Sequence, residues 1–155
     1  MSRVDHCARM NELTAELLNL VQSDEVDQLA MLGRVLAELV AVAAAIPESD
    51  ADLVPTPGAA PESLRLDVAR SFPSLGLYWT VYMATDTEAV PELLSGYANE
   101  DIVEILGDLL EGARAARSDE QAGLWVWRHG FRHHWGRHVA RVQGVITELQ
   151  MEGAK

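Results

Sequence analysis

The stretch LWVWRHGFRHHWGRHVARVQGVITEL, residues 124–149, carries the most regular apolar pattern of the chain. Its apolar and aromatic positions recur at steps of three, four and seven residues, the spacing of one face of an α-helix. The positions on this face are Leu124, Phe131, Trp135, His138, Val142, Val145 and Leu149. A face this regular predicts one long helix that packs closely against an antiparallel neighbour.

Helical spacing recurs nearly everywhere else, and no segment alternates with period two for long enough to indicate a strand. Two long amino-terminal helices are expected to form an antiparallel hairpin, with Ser23 and Asp24 as the cap between them and Pro47 as the end of the second. A further helix begins near Asn99, and the last helix opens with the capping pattern that starts at Ser118. These two form the predicted carboxyl-terminal antiparallel helix pair.

The middle of the chain is broken by proline. Residues 47–61, PESDADLVPTPGAAP, hold four of the six prolines and are predicted to form a loop. A short helix is expected over residues 61–71, and a second short helix, rich in aromatic rings, over residues 75–83. The resulting prediction is an all-α fold, a single helical bundle that forms one domain over residues 1–155.

Charge limits the class of partner. The chain has 24 Asp and Glu against 12 Lys and Arg, a formal charge of −12, which disfavours nucleic acid because phosphate binding requires basic surface. Residues 1–112 hold 20 acids against 5 arginines, a charge of −15, whereas residues 113–155 hold 4 acids against 7 bases, a charge of +3. An acidic protein of this kind associates fastest with basic proteins.

Cysteine content and hydropathy indicate a compartment. The single Cys7 excludes a disulfide within the chain and any zinc site of several cysteines. The first residues lack the basic-then-apolar order of a signal peptide, and the longest apolar run, residues 39–46, is far shorter than the roughly 20 residues needed to cross a bilayer. We therefore expect a cytoplasmic protein without a membrane partner.

Three segments resemble a known family. They are LGLYWTVYM at residues 75–83, NEDIVEILGDLLEG at 99–112 and WVWRHGFRHHWGRHV at 125–139. Over residues 72–146 the chain is similar to a bacterial family known as domain of unknown function 5063. The resemblance implies a small helical bacterial protein and brings no catalytic residues with it.

Four carboxylates follow one face of the helix that begins near Asn99. At about 100° per residue, Asp101, Glu104, Asp108 and Glu111 fall within an arc of about 80°, which we expect to point away from the apolar face and into solvent. We call these four residues the acidic stripe. Three interpretations are open: a solvated face, a docking surface for a basic partner, and a divalent-metal site.

Four of the five histidines lie in the last helix. His138 falls on its apolar face and is expected to be a core histidine with a hydrogen-bond partner. A metal site would need His134 and His138 to meet Glu104 or Asp108 across the helix pair. No HExxH motif supports such a site.

One flank of the last helix combines an aromatic ring with a cation. Trp125, His129 and Arg132 project to the same side, a composition that is common in binding hot spots. The alternative is that Trp125 packs beneath residues 72–83. The glycines of this helix, Gly130, Gly136 and Gly144, are expected to allow close packing of another backbone, either from this chain or from a second copy.

The function that the residues favour is a non-enzymatic protein-binding module without a cofactor. Its most concrete form is an immunity or antitoxin protein in which the acidic stripe steers a basic partner and Trp125 or Arg132 anchors it. Nucleophilic catalysis has little support, because Cys7 and its neighbour His6 would not face each other on a helix. The second hypothesis is a metal-dependent enzyme or metal sensor, and the third is a homo-oligomeric structural protein.

Overall fold

The computed structural model describes residues 3–48, 60–81 and 93–153, and within them the chain forms six helices and one two-stranded sheet. The helices are α1 (Arg3–Val21), α2 (Leu29–Ala45), α3 (Glu62–Ser71), α4 (Ala98–Ser118), α5 (Glu120–His133) and α6 (Trp135–Met151). The strands are β1 (Leu77–Val81) and β2 (Leu93–Tyr97). The all-α class is confirmed. Most of the predicted loop at 47–61 falls on residues 49–59, which lie outside the described residues.

The amino-terminal helices form the expected antiparallel hairpin. Arg9 near the start of α1 pairs with Glu38 in α2, and Glu16 further along α1 pairs with Arg34. The second helix begins at Leu29, so the cap predicted at Ser23 and Asp24 does not open it.

The second helix begins later than predicted because of the backbone conformation of Asp27. The φ of this residue is 53°, in the left-handed region, so Asp27 cannot be part of a right-handed helix. Its backbone N–H donates to the Ser71 carbonyl at 2.7 Å, and its carboxylate accepts from the Ser74 hydroxyl at 2.7 Å. The Ser71 hydroxyl in turn donates to the Val21 carbonyl at 2.6 Å. The turn between α1 and α2 is therefore tied to the end of α3.

The predicted aromatic helix over residues 75–83 is wrong, because the described part of this segment contains strand β1. Strand β1 pairs with β2 in antiparallel register, with Leu77 opposite Tyr97 and Val81 opposite Leu93. The sequence Leu-Tyr-Trp-Thr-Val is rich in aromatic and β-branched residues, which favour a strand. Tertiary pairing then decides the conformation of a segment too short to show a clear period.

The long helix predicted for the carboxyl-terminal segment is interrupted at His134, whose φ of −141° and ψ of −86° are not helical. Gly136 makes the interruption sterically feasible, since a Cβ there would lie 2.2 Å from the carbonyl oxygen of Phe131. Gly130 is also closely packed, with Trp135 within 2.8 Å of the position of a Cβ. Within the described part of this chain nothing packs closely against Gly144, which has open space around it, so the part of the expectation that concerns a neighbour in the same chain is wrong at this position.

The core lies between α1, α2, α4 and the α5–α6 pair. Its largest fully buried side chains include Trp127, Trp135 and Phe72. Cys7 is also buried, in the second turn of α1, and burial raises the pKa of its thiol. None of the helices in the described ranges combines the length and the apolarity that spanning a bilayer requires.

Candidate functional site

The acidic stripe is divided between the interior and the surface. Asp101 is only 6% exposed, so the expectation that it points into solvent is wrong. On a helical wheel Asp101 lies about 40° from Ile105, which is fully buried, so it sits at the border of the apolar face. Because α4 packs against several other elements, its buried arc is wide enough to include this border.

Asp101 joins three elements of the fold. One carboxylate oxygen lies 2.5 Å from Nδ1 of His138 in α6, and the other accepts the hydroxyl proton of Tyr78 in β1 at 2.6 Å. A carboxylate only accepts hydrogen bonds, so both partners donate to it. The prediction that His138 has a hydrogen-bond partner is confirmed, although its side chain is 18% exposed rather than fully buried.

A second acid–histidine pair lies two turns further along α4. Asp108, whose side chain is 12% exposed, lies 2.7 Å from Nδ1 of His134. Glu104 is half exposed and approaches Nε2 of the same ring only to 4.0 Å. Glu111 forms an ion pair with Arg114, which lowers its pKa. Asp108 therefore faces the histidine-rich segment, and Glu104 is the member of the acidic stripe most open to solvent.

The proposed metal ligands are brought near each other but do not converge. His134 pairs with Asp108, whereas His138 pairs with Asp101, and the two rings meet edge-on with centroids 4.9 Å apart. Among the residues that the structure describes, no three such side chains form a group that could hold a metal ion. Each imidazole instead has a carboxylate of its own.

The aromatic flank of α5 is engaged within the chain. Trp125 stacks on His129 with ring centroids 4.7 Å apart, and His129 contacts His133 at 4.6 Å. Burial, and then the charge of His133, lowers the pKa of His129. The guanidinium of Arg132 forms an ion pair with Glu48. Trp125 is half-buried in this arrangement.

The outer face of the β-hairpin is apolar and exposed. The sequence did not predict this face, because residues 75–83 were expected to form a helix. The side chains of Leu77, Trp79, Leu93 and Tyr97 are 53–66% exposed. They alternate with the half-buried positions of the two strands and, by the register, share one face of the sheet. We call these four residues the hairpin face. In the sequence this segment alternates over only five residues, which is too short to distinguish a strand from a helix.

A cleft of about 850 Å³ separates β1 from α6. Strand β1 contributes Tyr78 and Trp79 to its lining, and α6 contributes Arg137, Arg141 and Glu148. Neither His134 nor His138 is among the described residues that line it. The acid–histidine pairs therefore belong to the packing of α4 against its neighbours rather than to the wall of the cleft.

Tyr78 provides a measurable consequence of this packing. Burial and the neighbouring Asp101 carboxylate raise the pKa of Tyr78 to about 12, against the opposing effect of Arg141. Because the fold favours the neutral hydroxyl, this contribution to stability is complete below pH 10 and is lost as the pH rises to 12. We expect a loss of about 1 kcal/mol, since solvent screens a partly buried group.

Absorbance titration of the phenolates checks this expectation, together with urea unfolding of the native and Tyr78→Phe proteins at pH 9 and pH 12. The native protein should show one phenolate that ionises well above the others, and the variant should lack it. If every phenolate of the native protein ionises near pH 10, the contact between Tyr78 and Asp101 is absent in solution.

The fold and these contacts define a class: an α-helical bundle to which a two-stranded hairpin is attached through a buried carboxylate. The chain belongs to the family described as Domain of unknown function (DUF5063), whose model matches residues 5–152. The resemblance seen in the sequence over residues 72–146 is thereby confirmed, and the match extends through the amino-terminal helices. No curated protein and no solved structure matches the chain.

Proposed function

We propose that this chain is a non-enzymatic protein-binding module whose contact surface is the hairpin face. The supporting observation is that Leu77, Trp79, Leu93 and Tyr97 are all more than half exposed on one side of the two-stranded sheet. Contiguous exposed apolar side chains mark interaction sites on soluble domains, and tryptophan and tyrosine are frequent anchors there.

The net charge of −12 favours a basic partner, since it raises the rate of encounter with such proteins. The acidic stripe has a smaller part in this proposal than the sequence indicated, because Asp101 and Asp108 are bonded to histidines. An immunity or antitoxin protein that masks a basic partner in the cytoplasm is the most concrete form of the proposal. The buried thiol of Cys7 is compatible with a reducing compartment.

A catalytic role for the acid–histidine pairs has weaker support. Both pairs join α4 to the segment that carries His134 and His138, and Asp101 also holds the hairpin through Tyr78. These contacts hold α4, β1 and the segment with the two histidines together. A structural role is therefore enough to explain the two acid–histidine pairs. The raised pKa of Tyr78 also makes its hydroxyl a poor base or nucleophile near neutral pH.

The test is affinity capture from a lysate of the cells that make the protein, at low and at high salt. The bait is the native chain, the hairpin variant Trp79→Ser/Leu93→Ser, or the control Leu66→Ser. Leu66 is 69% exposed on α3, so its substitution removes a similar apolar surface at a different place. We expect the native chain and the control to retain one partner, and the hairpin variant to bind it at least about tenfold more weakly.

Recovery of no partner at either salt concentration would count against the proposal, and so would a partner that the hairpin variant retains. Light scattering at two protein concentrations provides a further check. A mass that doubles in the native chain but not in the hairpin variant would assign the hairpin face to self-association instead.

A further inference from the structure

The arginines of this acidic protein divide into two groups. Of the ten whose side chains the structure describes, seven lie within 4.0 Å of a carboxylate. These seven are Arg9, Arg34, Arg65, Arg70, Arg114, Arg128 and Arg132. Pairing is the expected state, because the chain carries twice as many acids as bases.

Two of the three remaining arginines lie in the cleft between β1 and α6. Arg137 and Arg141 lie one turn apart on α6, and both line the cleft. Within the described parts of the chain, neither forms an ion pair, although Glu148 lines the same cleft. Arg117 also has no ion pair with a described residue, but it lies in the last turn of α4, where the helix dipole favours a cation.

The remaining walls of the cleft are suited to an apolar body. Trp79 lines the cleft from β1, and Val145 and Leu149 line it from α6. Gly144 also lines it, and a Cβ at that position would meet nothing within 4 Å. The volume of about 850 Å³ lies in the range of small-molecule sites, which are mostly apolar with a few placed polar groups.

We propose that this cleft binds a small organic anion, with its carboxylate or phosphate group on Arg137 and Arg141 and its ring or aliphatic body against Trp79. Guanidinium groups bind both kinds of anion through charge-assisted hydrogen bonds. Among the described residues, neither guanidinium has a carboxylate within 4.0 Å, so an anion bound between them would relieve the repulsion of the two positive charges. Arg141 also donates a hydrogen bond to the Tyr78 hydroxyl and lowers the pKa of Tyr78, so its guanidinium is positioned at the wall of the cleft.

The test is a fluorescence titration with 8-anilinonaphthalene-1-sulfonate, an aromatic anion, compared with the uncharged N-phenyl-1-naphthylamine. We expect the native protein to bind the anionic dye more tightly than the neutral one. The Arg137→Gln/Arg141→Gln variant should lose at least about tenfold in affinity for the anion and little for the neutral dye. The control is Arg117→Gln, which removes an arginine outside the cleft and should change neither affinity.

A second variant tests the place rather than the charge. Gly144→Phe should fill the cleft and weaken binding of both dyes, while the open space around Gly144 keeps the fold intact. Competition then identifies the anionic group: displacement by phenyl phosphate indicates a phosphate ligand, displacement by benzoate indicates a carboxylate, and phenol should displace neither dye. Inorganic phosphate alone should compete poorly, because it lacks the apolar body.

Equal affinity of the native and double-arginine proteins for the anionic dye would overturn the proposal, and so would unchanged binding in Gly144→Phe. The protein-binding proposal can fail separately, because Leu93 does not line the cleft among the described residues. The single variant Leu93→Ser should weaken the protein partner and leave the dye affinities unchanged.

Discussion

Replacement of Gly112 by alanine is expected to lower the free energy of unfolding by about 2 to 3 kcal/mol. A Cβ at Gly112 would lie 2.3 Å from Nε1 and 2.4 Å from Cδ1 of Trp127. Trp127 is fully buried and cannot move aside freely, and its indole N–H donates to the Leu109 carbonyl at 3.0 Å. Overpacking and damage to this hydrogen bond together outweigh the roughly 1 kcal/mol that alanine gains over glycine in a helix.

The matched control is Gly144→Ala in α6, where the new methyl group meets open space. This variant should be more stable than the native protein by up to about 1 kcal/mol. Urea unfolding followed by circular dichroism measures both differences. Equal stability of Gly112→Ala and the native protein would show that Trp127 does not pack against α4 at this position.

Removal of the Asp101 carboxylate is expected to cost about 3 kcal/mol of unfolding free energy. Asp101→Ala leaves Tyr78 and His138 without their shared acceptor in a largely buried place, and hydrogen bonds to a charged group are worth more than neutral ones. The pKa of Tyr78 should also fall towards its ordinary value, since two of the causes that raise it are interactions with Asp101.

Glu104→Ala is the matched control, because Glu104 belongs to the same stripe but is half exposed. Its effect on stability should stay within about 0.5 kcal/mol. Unfolding in urea and absorbance titration of the phenolates measure the two consequences. A loss within about 0.5 kcal/mol in both variants would mean that the acidic stripe is uniformly solvated, as the sequence alone indicated.

Periodicity predicted the helices well, because each helix repeats its apolar face over several turns. It failed at β1, where five residues offer both helical spacing of rings and strand-like alternation. Only the partner strand β2 decides between them, and eleven residues separate it from the end of β1. The break at His134 was missed for a similar reason, since the apolar face continues across it.

The candidate site was harder to predict than the fold. Asp101 lies so close in angle to the apolar face that a wheel cannot decide whether it points outwards, and the answer depends on how many elements surround α4. The contact between His134 and Asp108 could be predicted from the sequence, because the metal hypothesis already placed these two residues opposite each other across the helix pair. The hairpin face could not be predicted without the sheet. Leu93 and Tyr97 are distant from Trp79 in sequence, and only the pairing of the two strands brings them onto the same face.

Site-specific photo-crosslinking in the cells that make the protein is the most direct test of the claim that the hairpin face binds a partner protein. A benzophenone amino acid is placed at Leu93 on the hairpin face or at Glu104 on the acidic stripe, two exposed positions on different elements. We predict a single crosslinked protein from position 93 and none from position 104. A crosslink from position 104 alone would contradict recognition through the hairpin and restore the acidic stripe as the contact surface.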